Sequence, residues 1–242
     1  MDLKSYKLQK SRLAALSDPY RAFCYACRQS AVTCFCSAIA PFDPKMKFVI
    51  LIHPIEARRR IATGRMSYLC LKDSHLIIGE DFSKNDEVER VLAQGDREAL
   101  ILYPGRTSIN LSELTPEIRD LRFSPQRNGR PLTVFVIDGT WAHARRMVRL
   151  STNLHALTRI SFVRAEASRF RVRKQPKEGC FSTIEAIHQT LELLGPSQGF
   201  DPALGEHQTL LRAFDLMVER QIAYRDDPPP KRESGKNHLP RA

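Results

Sequence analysis

Four cysteines, one aspartate and several arginine groups are the residues of this chain whose types and spacing could do chemistry. Cys24, Cys27, Cys34 and Cys36 follow a C-x2-C-x6-C-x-C pattern. Four thiolates are the number and type for a closed tetrahedral zinc site, structural because no ligand position is left for water. The alternative is four unrelated reduced cysteines. Cys70 and Cys180 stand alone and read as buried thiols rather than nucleophiles. Asp138 ends the apolar run at 134–137 in VFVIDGTWAHARRM, followed by Gly139, Thr140 and Trp141, the single tryptophan of the chain. A carboxylate at the end of a buried strand is placed to touch a ligand. It is equally a residue type that caps a following helix. A lone tryptophan is ordinarily core, although one here could also wall a pocket.

The arginines fall in three groups. Arg58, Arg59 and Arg60 are consecutive. Arg145, Arg146 and Arg149 lie in a helical pattern that puts Arg145 and Arg149 on one face. SRFRVRKQPK at 168–177 is densest, with Arg169, Arg171 and Arg173 at alternate positions and Lys174 next to them. In an extended segment those three arginines point the same way. Three basic spots suit a phosphate backbone better than a small anion, and the net charge of +11 favours a polyanionic partner. Each run alone reads as solvated surface.

Other chemistries lack their residues. The turn QPKEGCFSTIEAI at 175–187 offers free N–H groups at a helix start, but it has neither G-x-G-x-x-G order nor a P-loop. No H-E-x-x-H and no G-x-S-x-G occur, which removes the zinc-protease and α/β-hydrolase readings. No apolar run reaches the roughly 18 residues of a membrane span. The N-terminus has no continuous apolar stretch of the secretory kind. The expectation is a cytoplasmic protein with no membrane partner, in which clustered cysteines read as metal before disulfide.

These residues need a frame. The runs 47–53, 75–79, 98–105, 130–139 and 159–164 read as strands. Between them, helical patterns cover 54–71, 83–95 with Ser83 as cap, 140–154, 182–195 with Ser182 or Thr183 as cap, and 203–224. Strands alternating with helices predict an α/β fold with a largely parallel sheet, whose ligands sit outside the carboxyl ends of the strands. The predicted organisation is a helix at 1–19, a cysteine segment at 20–45 too short for its own core, a main domain at 46–224, and a polar, Pro-rich tail at 225–242 without fixed structure.

Five stretches then stand in one order: the cysteine group, HPIEARRRIATGRM (53–66), LYPG (102–105), IDGTWAHARRM (137–147) and RKQP…CFSTIEA (173–186). Together they resemble the DTW-domain family, named for an Asp-x-Thr-Trp motif that stands here as Asp138-Gly139-Thr140-Trp141. The resemblance implies a SPOUT-like knotted α/β fold, with the C-terminal part threaded to form an S-adenosylmethionine pocket. It implies transfer of the 3-amino-3-carboxypropyl group from that donor to N3 of a tRNA uridine, with release of methylthioadenosine. It implies a pocket of three loops: Leu102, Tyr103, Pro104 and Gly105; the Asp138 loop; and Phe181, Ser182 and Thr183, with Gln175 and Pro176 shaping the wall. Asp138 would be the base at uridine N3 or would hold the donor's α-ammonium. Thr140 would fix its loop, and Trp141 would pack behind it or screen the site. The arginine groups and Lys174 would carry tRNA, and Arg60, Thr63 and Gly64 match the family's first motif. The expected cofactor set is the donor plus a structural zinc, in a monomer. Two alternatives stay open: a SPOUT-type RNA methyltransferase using the same donor, and a zinc-containing RNA-binding protein without catalysis.

Overall fold

The computed structural model describes residues 23–163 and 181–226. Among the described residues six strands form one sheet: β1 (Lys47–Ile52), β2 (His75–Ile78), β3 (Glu98–Leu102), β4 (Ile109–Asn110), β5 (Leu132–Asp138) and β6 (Thr158–Ser161). Their order is β2-β1-β5-β3-β6-β4, and every pairing is parallel. The predicted α/β class with a largely parallel sheet is what the chain adopts. Parallel strands are covered on both faces and so read as continuous apolar runs. In β1 only Lys47 is not fully buried, and in β5 only Ile137 is not.

Alternate residues of the strands feed two cores. Phe48, Ile50, Leu100, Val134, Val136 and Ile160 face one side. There they meet Met66 and Cys70 of α2 (Thr63–Cys70), Ile184, Ile187 and Leu191 of α7 (Thr183–Leu194), and Phe214 and Met217 of α8 (Gln208–Asp226). Val49, Leu51, Ile101 and Phe135 face the other side, against Val88 and Val91 of α3 (Asp86–Leu92) and Met147 and Val148 of α6 (Trp141–Leu150). The described part of the cysteine segment packs into the sheet's core. Cys27, Phe35 and Phe42 join the first core, and Thr209 of α8 receives the Ala40 N–H at 2.9 Å and donates to the Ala38 carbonyl at 3.1 Å.

The helix boundaries depart from the pattern reading in places. The stretch 54–71 is two helices, α1 (Pro54–Arg58) and α2, because the chain turns extended at Arg59. Asn85, not Ser83, caps α3, accepting from Glu87 N and Val88 N at 3.1 and 3.0 Å. α4 (Pro116–Phe123), α5 (Pro125–Asn128) and the two-residue edge strand β4 lie in a stretch given no element from sequence. The last helix runs to Asp226, two residues into the predicted tail. The N-terminal helix at 1–19, the basic run at 168–177, the threading of the chain implied for its C-terminal part, and nearly all of the tail lie outside the described residues. Among the described residues no helix is long and apolar enough to cross a membrane.

Candidate active site

Asp138 ends the central strand β5. Its backbone carbonyl still serves the sheet edge, accepting from His53 N at 2.9 Å. Its side chain is 7% exposed and ties together two distant helix starts. Oδ2 accepts from Gly64 N, in the first turn of α2, at 3.0 Å. Oδ1 accepts from Thr183 Oγ1, the first residue of α7, at 2.6 Å. Helix N-termini carry unsatisfied N–H groups and partial positive charge, so an anion between two of them is well placed. Gly64 is required here by space. A Cβ on it would lie 2.9 Å from Asp138 Cγ and 3.0 Å from Ile50 Cγ2. Arg65, next in α2, is buried and donates to the Ala57 carbonyl. Its burial pushes the guanidinium below its ordinary range, and the nearby Asp138 charge works in the opposite sense.

The helix-capping alternative for Asp138 falls to its neighbour. Thr140 is the N-cap of α6 and accepts from His143 N at 3.3 Å, as expected of a residue fixing this loop. Ser182 caps α7, with its N–H and Oγ both donating to Glu185 Oε2 at 2.9 and 2.6 Å. Its hydroxyl is therefore committed to the cap.

Beside Asp138 a cavity of about 270 Å³ opens at the carboxyl ends of β3, β5 and β6. That volume sits near the lower end for small-molecule sites. Leu102 ends β3 and Tyr103 and Pro104 follow it, Gly139 follows β5 and Trp141 opens α6, and Phe181 and Thr183 come from the start of α7. Three sequence-separated loops thus converge on one hollow. Its walls are aromatic. Tyr103 and Trp141 stand 6.5 Å apart between ring centroids, and Phe162 meets Phe181 edge-on at 5.1 Å. Trp141 is 42% exposed, so the core reading of the lone tryptophan does not hold. Arg159 lies over the Tyr103 ring, its guanidinium 5.6 Å from the centroid. Burial raises the Tyr103 phenol, with Arg159 and Arg145 opposing. The hollow can therefore take a flat, partly apolar ligand. Gly105 is exposed and does not line the cavity. Gln175, Pro176, Arg169, Arg171, Arg173 and Lys174 lie outside the described residues.

On the β1 side of Asp138 is a group the sequence reading passed over. His53 and His143 stack with centroids 3.9 Å apart and planes 5° from parallel. His53 Nδ1 accepts from Ile55 N at 3.2 Å, which leaves Nε2 to donate to Glu80 Oε1 at 3.3 Å. Glu80 also pairs with Arg146 at 2.9 Å. Burial lowers the His143 imidazole, and His53 adds to the shift. The sequence signal was only that both histidines sit beside strand ends. Arg58, Arg59, Arg60, Arg145 and Arg149 are all exposed on α1, just after it, and on α6. Arg59 pairs with the buried Glu56 at 3.4 Å.

The four clustered cysteines meet as their spacing required. Cys24 and Cys36 sulfurs are 3.7 Å apart, Cys27 and Cys34 sulfurs 3.6 Å, and all four lie within 4.8 Å of one another. A tetrahedron of Zn–S bonds near 2.3 Å has edges of about 3.8 Å. A disulfide would need sulfurs near 2.0 Å. The donor set fits zinc. The Cys27 N–H is the main influence holding the Cys24 thiol down to about 7, while burial raises Cys27 and Cys36.

Known proteins match this chain over most of its length. A tRNA-uridine aminocarboxypropyltransferase 2 of Drosophila melanogaster is 30% identical over 207 residues, covering 82% of this chain and 74% of the fly protein. The mouse protein of the same name is 27% identical over 206 residues, covering 84% of this chain and 66% of its own length. The tRNA-uridine aminocarboxypropyltransferase A of Arabidopsis thaliana is 24% identical over 198 residues, 73% of this chain and 74% of the plant protein. No solved structure gives a significant match. The DTW domain matches residues 21–222, a span that takes in the cysteine cluster, the Asp138 loop and all six strands, and the chain belongs to the DTW domain family.

Proposed function

We propose that this chain transfers the 3-amino-3-carboxypropyl group of S-adenosylmethionine to N3 of a uridine in tRNA, with methylthioadenosine as the other product. The observation that carries the reading is the aromatic-walled hollow beside Asp138, in a chain whose relatives are named tRNA-uridine aminocarboxypropyltransferases. The reaction forms a bond from uridine N3 to Cγ of the transferred group and breaks the Cγ–S bond, whose electron pair stays on sulfur. The N3 proton must leave. The sulfonium already makes its carbons electrophilic, so no metal is needed at the reacting centre. Positioning the two substrates then supplies much of the acceleration.

Tyr103, Trp141, Phe162 and Phe181 offer ring faces to the sulfonium and adenine. Asp138 accepts from Gly64 N and from the Thr183 hydroxyl, which fixes its carboxylate next to the hollow. There it would hold the donor's α-ammonium or take the uridine N3 proton, and either role makes the residue necessary. Arg58, Arg59, Arg60, Arg145 and Arg149 would meet tRNA phosphates, as would the arginines at 169–173. The four thiols at Cys24, Cys27, Cys34 and Cys36 would hold one structural zinc. The protein acts as a cytoplasmic monomer in this reading.

The test is mass spectrometry of unmodified tRNA incubated with the protein and S-adenosylmethionine. The expected result is a uridine heavier by one aminocarboxypropyl group, with methylthioadenosine released. A uridine gaining one methyl, with S-adenosylhomocysteine released, would move the chain to the methyltransferase reading. Bound but unmodified tRNA would leave a non-catalytic RNA-binding protein.

A further inference from the structure

A second cluster of metal-ligand residues shares no residue with the lining of the aromatic hollow or with the cysteine cluster. His188 and Glu192 are four residues apart on α7 and so share one helix face. His207, the residue before α8, reaches the same point. His207 Nε2 lies 2.6 Å from Glu192 Oε1, and His188 Nε2 lies 3.8 Å from that oxygen. The two imidazoles face each other with centroids 4.5 Å apart, and one ligand atom from each of the three residues falls within 4.8 Å of the others. At 1.5 Å of rise per residue, this point is roughly 8–14 Å along α7 from the Thr183 that holds Asp138.

A plain histidine–carboxylate hydrogen bond uses this arrangement poorly. His207 is fully buried, and its Nε2 faces both Glu192 Oε1 at 2.6 Å and the Gln208 amide nitrogen at 3.3 Å, a donor from which an Nε2–H cannot accept. The second imidazole approaches the same carboxylate at a distance too long for a hydrogen bond. Two imidazoles and one carboxylate are, however, a recurrent three-ligand set for zinc with one open position. Around an ion with bonds near 2.0–2.1 Å, tetrahedral ligand atoms stand about 3.3 Å apart. The observed 2.6 and 3.8 Å bracket that value, so replacing the shared proton by an ion needs only small side-chain rotations. Glu192 is 36% exposed and gives a path from solvent. The Gln208 amide nitrogen lies 3.3 Å from His207 Nε2. A half-turn of that amide would present its oxygen as a fourth donor.

We propose that His188, Glu192 and His207 form a second metal site that takes one divalent cation of the zinc class, its fourth position filled by water or Gln208. The cation staples the middle of α7 to the start of α8 across the 195–207 connection. It acts on the fold rather than on the transfer chemistry, and the proposal stands whatever the chain modifies.

The test uses the full chain, with metal content measured after equilibration with micromolar free Zn²⁺ and, separately, Co²⁺. His188→Ala and Glu192→Gln touch partly exposed positions, and His207 is left alone because it is fully buried. Each variant is expected to hold one equivalent fewer than the wild type. The Co²⁺ difference spectrum, wild type minus variant, should show weak d–d bands without intense thiolate charge transfer, since no sulfur is lost. Zinc should raise the wild-type Tm more than that of either variant. Equal metal content in all three proteins would overturn the site. So would a loss carried by the thiolate bands, which would trace the missing ion to the cysteines.

Discussion

Thr183 Oγ1 donates to Asp138 Oδ1 at 2.6 Å across 45 residues of chain, joining the end of the central strand to the start of α7. The same carboxylate receives the Gly64 N–H from α2. One side chain thus ties the starts of two helices, of which α7 lines the hollow through Thr183 and Ala186. Thr183→Val keeps the shape and removes the donor. A hydrogen bond to a charged group contributes about 1.5–3 kcal/mol, so denaturant unfolding should show a loss in that range. Transfer should fall further than stability accounts for, while Thr183→Ser retains most of both. A valine variant with unchanged unfolding midpoint would show that this bond holds nothing.

Gly64→Ala tests the other half of the bracket. The added Cβ would press on the Asp138 carboxylate and on Ile50, and overpacking of this kind typically costs about 1–3 kcal/mol. The expected outcome is a lower Tm together with a loss of transfer at temperatures where the variant is folded. Wild-type activity in Gly64→Ala would mean that the Asp138 carboxylate can move without consequence.

The sheet and the loop cluster were legible in the sequence, because parallel strands buried on both faces leave unbroken runs such as KFVILI, and strand ends locate ligands. The cysteine spacing likewise foretold which sulfurs would meet. The Asp138–Gly64–Thr183 bracket was not legible. It joins residues 74 and 45 positions apart, and no local pattern encodes which N–H a carboxylate will find. The misplaced cap at Ser83 had a local cause, since Asn85 is an equally good cap two residues on. Tyr103, Phe162 and Arg159 escaped notice as a unit because only the parallel pairing of β3 with β6 brings their loops together.

Trp141→Ala removes one aromatic wall and little of the core. A ring face is worth about 0.5–2 kcal/mol to a cation, so donor affinity measured by calorimetry should weaken by roughly tenfold. An uncharged analogue such as S-adenosylhomocysteine should lose less than the sulfonium does. Equal losses for both ligands would assign Trp141 to shape rather than to charge recognition.

The His53–His143 stack makes stability depend on pH. The His143 value is lowered in the folded protein by burial and by His53. A lowered group contributes its full share above the unfolded value of about 6.5, and that share is lost as pH falls through the lower folded value. The Tm should therefore drop between pH 7 and pH 5 more steeply in the wild type than in His143→Asn. Parallel curves for the two proteins would remove the stack as the source.

Arg145 and Arg149 are exposed one turn apart on α6, whose Trp141 and Ala144 line the hollow, so RNA bound there would run along a helix of the site. Each phosphate neutralised releases condensed counterion and steepens the salt dependence of binding by about 0.7–0.9 per contact. Replacing both arginines by glutamine should lower tRNA affinity at low salt and reduce the slope of log K against log salt by roughly 1.5. Donor affinity should stay the same, because neither residue lines the cavity. This separation matters for placing the RNA. A loss of affinity with an unchanged slope would mean the arginines act through the fold of α6. An unchanged affinity and slope would shift the RNA surface to the α1 arginines and the 169–173 run, leaving the face of α6 to solvent.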